Sequence, residues 1–138
     1  MSADDITTIE QDAAAALPAL LARSYARYSN FTVAAAVIDE QGRAHLGVNV
    51  ENAAYPQGLC AEAGAIAALV AAGHKRILEC VVVGPGPEVI TPCGGCRQKL
   101  REFAGDDVPV HLCGPDGLHR TVTLGQLLPM SFGPQHFA

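Results

Sequence analysis

Positive charge is scarce in this sequence, and long apolar runs are missing. Lys plus Arg number 9 against 14 Asp plus Glu, a formal net charge of -5, and the basic residues gather only in pairs such as Lys75 with Arg76 and Lys99 with Arg101. A chain that grips a phosphate backbone without regard to sequence needs a basic face, so nucleic acid is not an expected partner. No apolar run approaches the ~18 residues that a membrane span needs, so no membrane partner is expected either. The opening "MSADDITTIEQD" puts acids where an export signal would carry a basic head and an apolar stretch. A cytoplasmic protein is expected. Charged residues are few, 17% against 49% hydrophobic, which is far from the composition of a disordered chain. With 138 residues the chain reads as a single domain over 1–138, long enough to bury a core without disulfide staples. There is no internal repeat and no Gly-x-Ser-x-Gly elbow for serine hydrolysis.

Apolar and polar periodicity gives the order of elements. From about Thr8 to Arg27 the apolar positions Ile9, Ala13, Leu17, Leu20 and Leu21 fall at helical spacing, with a kink expected at Pro18. "FTVAAAVID" and "AHLGVNVEN" read as two strands joined by a hairpin turn at "EQGR". "CAEAGAIAALVAAG" is a buried helix closed by Gly73. "ILECVVVG" is a strand, a helix covers Cys93 to Phe103, and "VPVHLCG" and "RTVTL" are strands around the turn "PDG". A short helix at "LGQLLP" ends the series. The order α-β-β-α-β-α-β-β-α predicts a mixed five-stranded sheet with helices on both faces, a three-layer α/β/α arrangement.

Five cysteines is an odd number. Cys80 and Cys113 sit inside apolar runs, whereas Cys60, Cys93 and Cys96 sit beside Gly, Pro or Glu, a pattern that suggests metal or chemistry more than disulfides. "TPCGGCRQ" alone allows a redox pair, half of a structural zinc site, or part of a catalytic one. A redox pair leaves Cys60 and Glu62 unexplained. A structural site needs a fourth ligand, from Cys80, Cys113 or a histidine. The three cysteines instead fall at the first turns of two predicted helices, where free N–H groups and the helix dipole favour thiolates. The spacing of Cys93 and Cys96 puts both on one face of a turn. Three ligands leave a fourth tetrahedral position open, which marks a catalytic zinc. Glu62, two residues after Cys60, is placed to carry protons beside the metal. The five histidines, His45, His74, His111, His119 and His136, show no ligand spacing with one another and read as surface or strand residues without a role.

Cys-x-Glu followed about thirty residues later by Pro-Cys-x-x-Cys matches the zinc deaminase signature in its three-cysteine form. Through "YARYSNFTVAAAV", "GVNVENAAYPQGLCAEAGAIAALVAAG", "TPCGGCRQ" and "LLPMSFGP" the chain resembles the small homotetrameric cytidine deaminases over nearly its whole length. The resemblance implies the cytidine-deaminase fold, a homotetramer, one Zn2+ per subunit on Cys60, Cys93 and Cys96, and Glu62 as the catalytic proton carrier. It implies that Asn49 and Glu51 hydrogen-bond the ribose, that Phe31 packs on the pyrimidine, and that Phe132 reaches a neighbouring subunit's site. Ala61 and Tyr55 belong to the same substrate set, with Gln98 and Arg97 in support. The implied reaction is hydrolytic deamination of cytidine and 2'-deoxycytidine to the uridines and ammonia, a step of pyrimidine salvage. A relative acting on a modified aminopyrimidine nucleoside, as blasticidin deaminases do, is the second reading.

The departures from that family pattern are specific. Ala63 stands where the family has an arginine that donates to the zinc thiolates, Arg27 where it usually has Pro, and Ala34 where it usually has Gly. Three thiolates on one divalent cation leave net negative charge, which blunts the Lewis acid. Arg27 or Arg97 is expected to replace the missing guanidinium in part.

Overall fold

The apolar run Ala34–Asp39 forms strand β1, and all of its residues are buried. A strand covered on both faces reads as a continuous apolar stretch rather than an alternating one. β1 has a neighbour on each side: β2 (Ala44–Val48) and β3 (Ile77–Val83) both pair with it antiparallel. Strand β4 (Pro109–Gly114) runs parallel to β3, and β5 (Gly117–Thr123) antiparallel to β4. The result is one mixed five-stranded sheet in the order β2-β1-β3-β4-β5. The structure is a computed structural model and describes residues 15–137.

Since β2 and β3 both oppose β1, helix α2 (Ala61–Ala71) between them is a crossover that passes over β1. Helix α3 (Gly94–Phe103) makes the second crossover, between the adjacent parallel strands β3 and β4. The short α4 (Leu124–Leu127) is fixed by a capping box between Thr123 and Gln126. Ile66 and Leu69 of α2, Leu100 of α3 and Leu124 of α4 pack on one face of the sheet with Val37, Val82 and Leu112. Leu17 covers the other face, against Ala34, Ala36, Ile38, Val81 and Val83. That is the expected three-layer arrangement. None of the helices among the described residues is long and apolar enough to cross a membrane.

Several boundaries differ from the sequence reading. The first helix, α1, is helical over residues 15–20, tightens to a 3-10 turn at Leu21–Arg23 and ends in an extended Ser24, short of Arg27. The predicted residues before 15 lie outside the described ones. Tyr25 is taken by another segment: its N–H donates to Asn49 O at 3.0 Å, and Glu51 N–H donates to Tyr25 O at 2.8 Å. The same pairing ends β2 at Val48, so "NVEN" is a link and not a strand end. Helix α2 buries only the stripe Ala61, Glu62, Ala65, Ile66 and Leu69; Ala67 and Val70 are exposed.

Two glycines occupy positions that no other residue would fill without strain. Gly42 takes φ 82° in the β1–β2 turn, a left-handed conformation that favours glycine. Gly47 of β2 lies against the first turn of α2, where a Cβ would come 2.3 Å from Ala61 O and 2.4 Å from Ala65 N. Gly47→Val is therefore expected to push α2 off the sheet and to lower stability by at least about 1–3 kcal/mol. Thermal melting checks this, with loss of the catalytic geometry as the companion effect.

Candidate active site

Cys60 and Cys93 are the residues immediately before α2 and α3, each in an extended conformation that leaves its side chain at the helix N-terminus. The start of α2 is set by the reciprocal bonds Val50 N–H to Leu59 O, 2.9 Å, and Leu59 N–H to Val50 O, 2.8 Å. Cys96 lies in the first turn of α3 and is fully buried. Two crossovers thus bring three thiols together: Cys60 Sγ is 3.8 Å from Cys93 Sγ, and all three sulfurs lie within 4.8 Å of one another. A tetrahedral zinc with bonds near 2.3 Å holds its sulfurs about 3.8 Å apart. The donor set and spacing fit zinc.

Burial pushes the Cys60 and Cys96 thiols up, while the backbone N–H of Cys96 chiefly holds the Cys93 thiol below its ordinary value. Ionising all three side by side needs a cation. Glu62, in the first turn of α2, is almost fully buried, and burial pushes its carboxyl above the usual range; its own backbone N–H and Lys99 offset only part of that. A carboxyl raised in this way holds a proton more readily than a free glutamate does, which suits a group that takes and returns protons.

The thiols open into a cavity of about 360 Å³. Cys60, Cys93, Ala61 and Glu62 line it, and Phe31, Asn49 and Glu51 face them from the links around β1 and β2. Asn49 ties this wall together: its Oδ1 accepts from Val33 N–H at 2.9 Å and from the Ser24 hydroxyl, and its Nδ2 donates to Phe31 O at 2.8 Å. Glu51 Oε1 accepts from the N–H groups of Tyr28, 2.9 Å, and Ser29, 3.1 Å, while Oε2 accepts from the Ser29 hydroxyl. The Ser29 bond is the main reason its carboxyl lies below the ordinary range. Ser29 and Thr91 also line the cavity; both lie within stretches that carry the family resemblance, "YARYSNFTVAAAV" and "TPCGGCRQ", but neither is singled out there.

Residues 9–112 match the family model described as "Cytidine and deoxycytidylate deaminase zinc-binding region". The chain belongs to the cytidine deaminase family. It is 40% identical to the cytidine deaminase of Mycobacterium tuberculosis over 81% of this chain and 80% of that protein. It is 35% identical to the one from Sporosarcina psychrophila over 82% and 83% of the two chains. Among solved structures, the cytidine deaminase from Burkholderia pseudomallei superposes with a TM-score of 0.78 at 36% identity, covering 96% of this chain and all of that one.

In this family member five residues singled out in the sequence lie away from the main cavity. Tyr55 is well exposed and meets Tyr28 edge-on at 6.2 Å across a second hollow that shares Ser29 and Glu51 with the first. Gln98 Nε2 donates to Phe132 O at 2.9 Å. The Phe132 ring is half exposed and stacks on His136 at 5.0 Å. Arg97 donates from Nε to Pro92 O, 2.8 Å, from Nη1 to Leu127 O, 2.8 Å, and from Nη2 to Thr91 Oγ1, 2.7 Å. Arg27 lies over the Tyr28 ring, 5.3 Å from its centre. The bonds made by Arg97 fasten the loop that carries Cys93 to α4. Arg97→Ala is expected to lower stability by about 1–3 kcal/mol and to weaken zinc retention, read by thermal melting and by chelator competition.

A closed, purely structural zinc shell finds no fourth ligand among the described residues. The sulfur cluster contains Cys60, Cys93 and Cys96 alone. Cys80 and Cys113 are buried in the two core clusters on opposite faces of the sheet.

Proposed function

We propose that this chain, acting as one domain over residues 1–138, is a zinc-dependent hydrolase that deaminates cytidine and 2'-deoxycytidine to uridine and 2'-deoxyuridine, releasing ammonia. The observation that carries the reading is the convergence of three thiols at two helix N-termini, with Cys60, Cys93 and the almost fully buried Glu62 lining one cavity and Cys96 closing the cluster from behind. Zinc on Cys60, Cys93 and Cys96 supplies the Lewis acidity that makes water a nucleophile near neutral pH. Glu62 takes a proton from that water as it adds to C4 of the pyrimidine and delivers it to N3. It then takes the remaining proton from the hydroxyl now on C4 and gives it to the exocyclic nitrogen, which leaves as ammonia while the C4 carbonyl forms. Water supplies the oxygen of the new carbonyl, and the balance is cytidine plus water giving uridine plus ammonia.

Phe31 and Ala61 flank the ring, and Asn49 and Glu51 receive the ribose. Phe31, Asn49 and Glu51 on the wall opposite the thiols, and Ala61 beside Cys60 on the thiol side, are positions that support those roles. With Ala63 in place of an arginine, N–H groups at the starts of α2 and α3 take over the stabilisation of the thiolates; the depressed Cys93 thiol supports this. Tyr55 and Phe132, both substantially exposed on a single chain, act across subunit contacts of a homotetramer. Gln98 holds the Phe132 segment, and Arg97 the Cys93 loop. The net charge of -5 supports a free nucleoside rather than a nucleic acid as substrate, and pyrimidine salvage in the cytoplasm is the setting that such a substrate suits.

The test is to mix the zinc-replete chain with cytidine, deoxycytidine and cytosine and to follow ammonia and the ultraviolet change. Turnover of both nucleosides with cytosine left untouched is the expected result. Inertness toward all three, with zinc on three sulfurs, would move the reading to a modified aminopyrimidine nucleoside. Light scattering of the eluted protein tests the tetramer.

A further inference from the structure

Two histidines that carry no spacing signal meet at one buried carboxylate. Asp39 ends β1, His45 lies at the start of β2, and His74 follows α2. Their ligand atoms lie within 4.8 Å of one another. His74 is held in place by the end of α2: Gly73, at φ 91°, donates its N–H to Val70 O at 3.0 Å, and His74 N–H reaches Leu69 O at 3.2 Å. This pair of bonds is the Schellman ending of a helix. α2 has 11 residues, so this cluster and Cys60 lie about 16 Å apart along its axis. The two sites are separate.

The carboxylate is aimed. Asp39 is fully buried, and its Oδ1 accepts from the backbone N–H groups of Gln41, 2.8 Å, and Arg43, 3.0 Å. That fixes Oδ2 toward His45 Nε2 at 2.7 Å and His74 Nε2 at 3.3 Å. Burial pushes the Asp39 carboxyl up, but the bond from His45, the backbone N–H groups and the His74 field outweigh it and leave it ionised below the usual range. On its other side, His74 Nδ1 lies 2.8 Å from Glu40 Oε1.

Counting protons exposes a conflict. An ionised carboxylate only accepts, and a neutral imidazole has a single N–H. If His74 gives Nδ1–H to Glu40, its Nε2 lone pair points at Asp39 Oδ2. The arrangement needs a positive charge at that point, either a second proton or a cation. Two imidazole nitrogens and a carboxylate oxygen are the donors of a first-row divalent transition metal rather than of magnesium or calcium. The surroundings also follow the pattern of metal sites, in which a ligating histidine donates its other N–H to a carboxylate and the ligating carboxylate is itself hydrogen-bonded. Bonds of 2.0–2.1 Å set tetrahedral ligand atoms about 3.3 Å apart; His74 Nε2 already stands at 3.3 Å from Asp39 Oδ2, while His45 Nε2, hydrogen-bonded at 2.7 Å, has to draw back to admit the ion.

We propose that Asp39, His45 and His74, with Glu40 behind His74, form a second divalent-metal site of the zinc and cobalt class, which clips the β1–β2 hairpin to the end of α2. It stands independently of the deaminase reading. The metal-free full-length chain, titrated with Co(II), tests it. Two equivalents are expected: one with an intense sulfur-to-cobalt band, the other with only weak bands of nitrogen and oxygen ligation. The double variant His45→Gln/His74→Gln keeps the sulfur band and the deaminase activity and loses the second equivalent. Glu40→Gln, an exposed change that spares the fold, weakens the second equivalent by about 10- to 100-fold and leaves the first alone.

A single equivalent in the unaltered chain overturns the proposal, as does a second equivalent that survives the double variant. If the double variant does not fold, nitrogen NMR of the unaltered chain decides. His74 Nε2 losing its proton as zinc is added supports the site, and His74 staying doubly protonated at saturating zinc overturns it.

Discussion

Glu62→Gln is expected to lower kcat for cytidine by at least about 10⁴-fold, because two successive proton transfers lose their carrier. The replacement has the same shape, and the other carboxylate of the cavity, Glu51, is held by Tyr28 and Ser29 on the opposite wall. Lys99 is the cation whose charge is felt at Glu62, but an ammonium donates and cannot first accept. Cys60 and Cys93, the other ionisable groups nearest the site, are committed as ligands. The three sulfurs are untouched, so the variant keeps its zinc and its sulfur-to-cobalt band, and nucleoside binding persists. Steady-state kinetics with a metal assay on the same sample separates this outcome from loss of the site. Full zinc with more than about a hundredth of the original kcat would show that Glu62 is not the carrier.

How much of the fold and the site is legible in the sequence depends on how far apart the determining residues are. Cys93 and Cys96 share one turn, and Cys60 stands two residues from Glu62; both helix starts are local events, and the sequence places them within a residue. The β1–β2 hairpin is equally local, since Gly42 permits the turn. What periodicity misses is partnership at a distance. Nothing in "RSYARY" announces that Tyr25 will bridge to Val50 and so end a helix that the sequence reading carries on to Arg27. The same bridge removes Asn49 and Glu51 from β2 and turns them into the cavity wall.

The histidines carry no signal in the sequence for the same reason. His45 and His74 are far apart in the chain, and only the hairpin and the Schellman turn bring them to Asp39. Ala63 shows the reverse limit: the lost arginine and the two helix starts are both legible in the sequence, while the particular backbone N–H that lowers the Cys93 thiol, that of Cys96, becomes visible only in three dimensions.

Cys96→Ser is expected to remove activity altogether and to weaken zinc at the sulfur site by more than about 100-fold, since even the loss of a group behind a ligand weakens metal binding 10- to 100-fold. Of the three thiols Cys96 is the one fully buried, so neither solvent nor a neighbouring side chain can replace it. Serine keeps the volume and isolates the effect of the missing thiolate; a buried hydroxyl without a partner adds about 1–3 kcal/mol of destabilisation. Stripping the unaltered chain with a chelator should give the same inactive state, but zinc restores that chain and leaves the variant inactive. The sulfur-to-cobalt band is the decisive reading, because total metal also counts whatever binds at Asp39, His45 and His74. Cys96→Ser that retained both the band and turnover would mean that Cys60 and Cys93 hold the metal with a different third ligand, and the three-thiolate site would have to be redrawn.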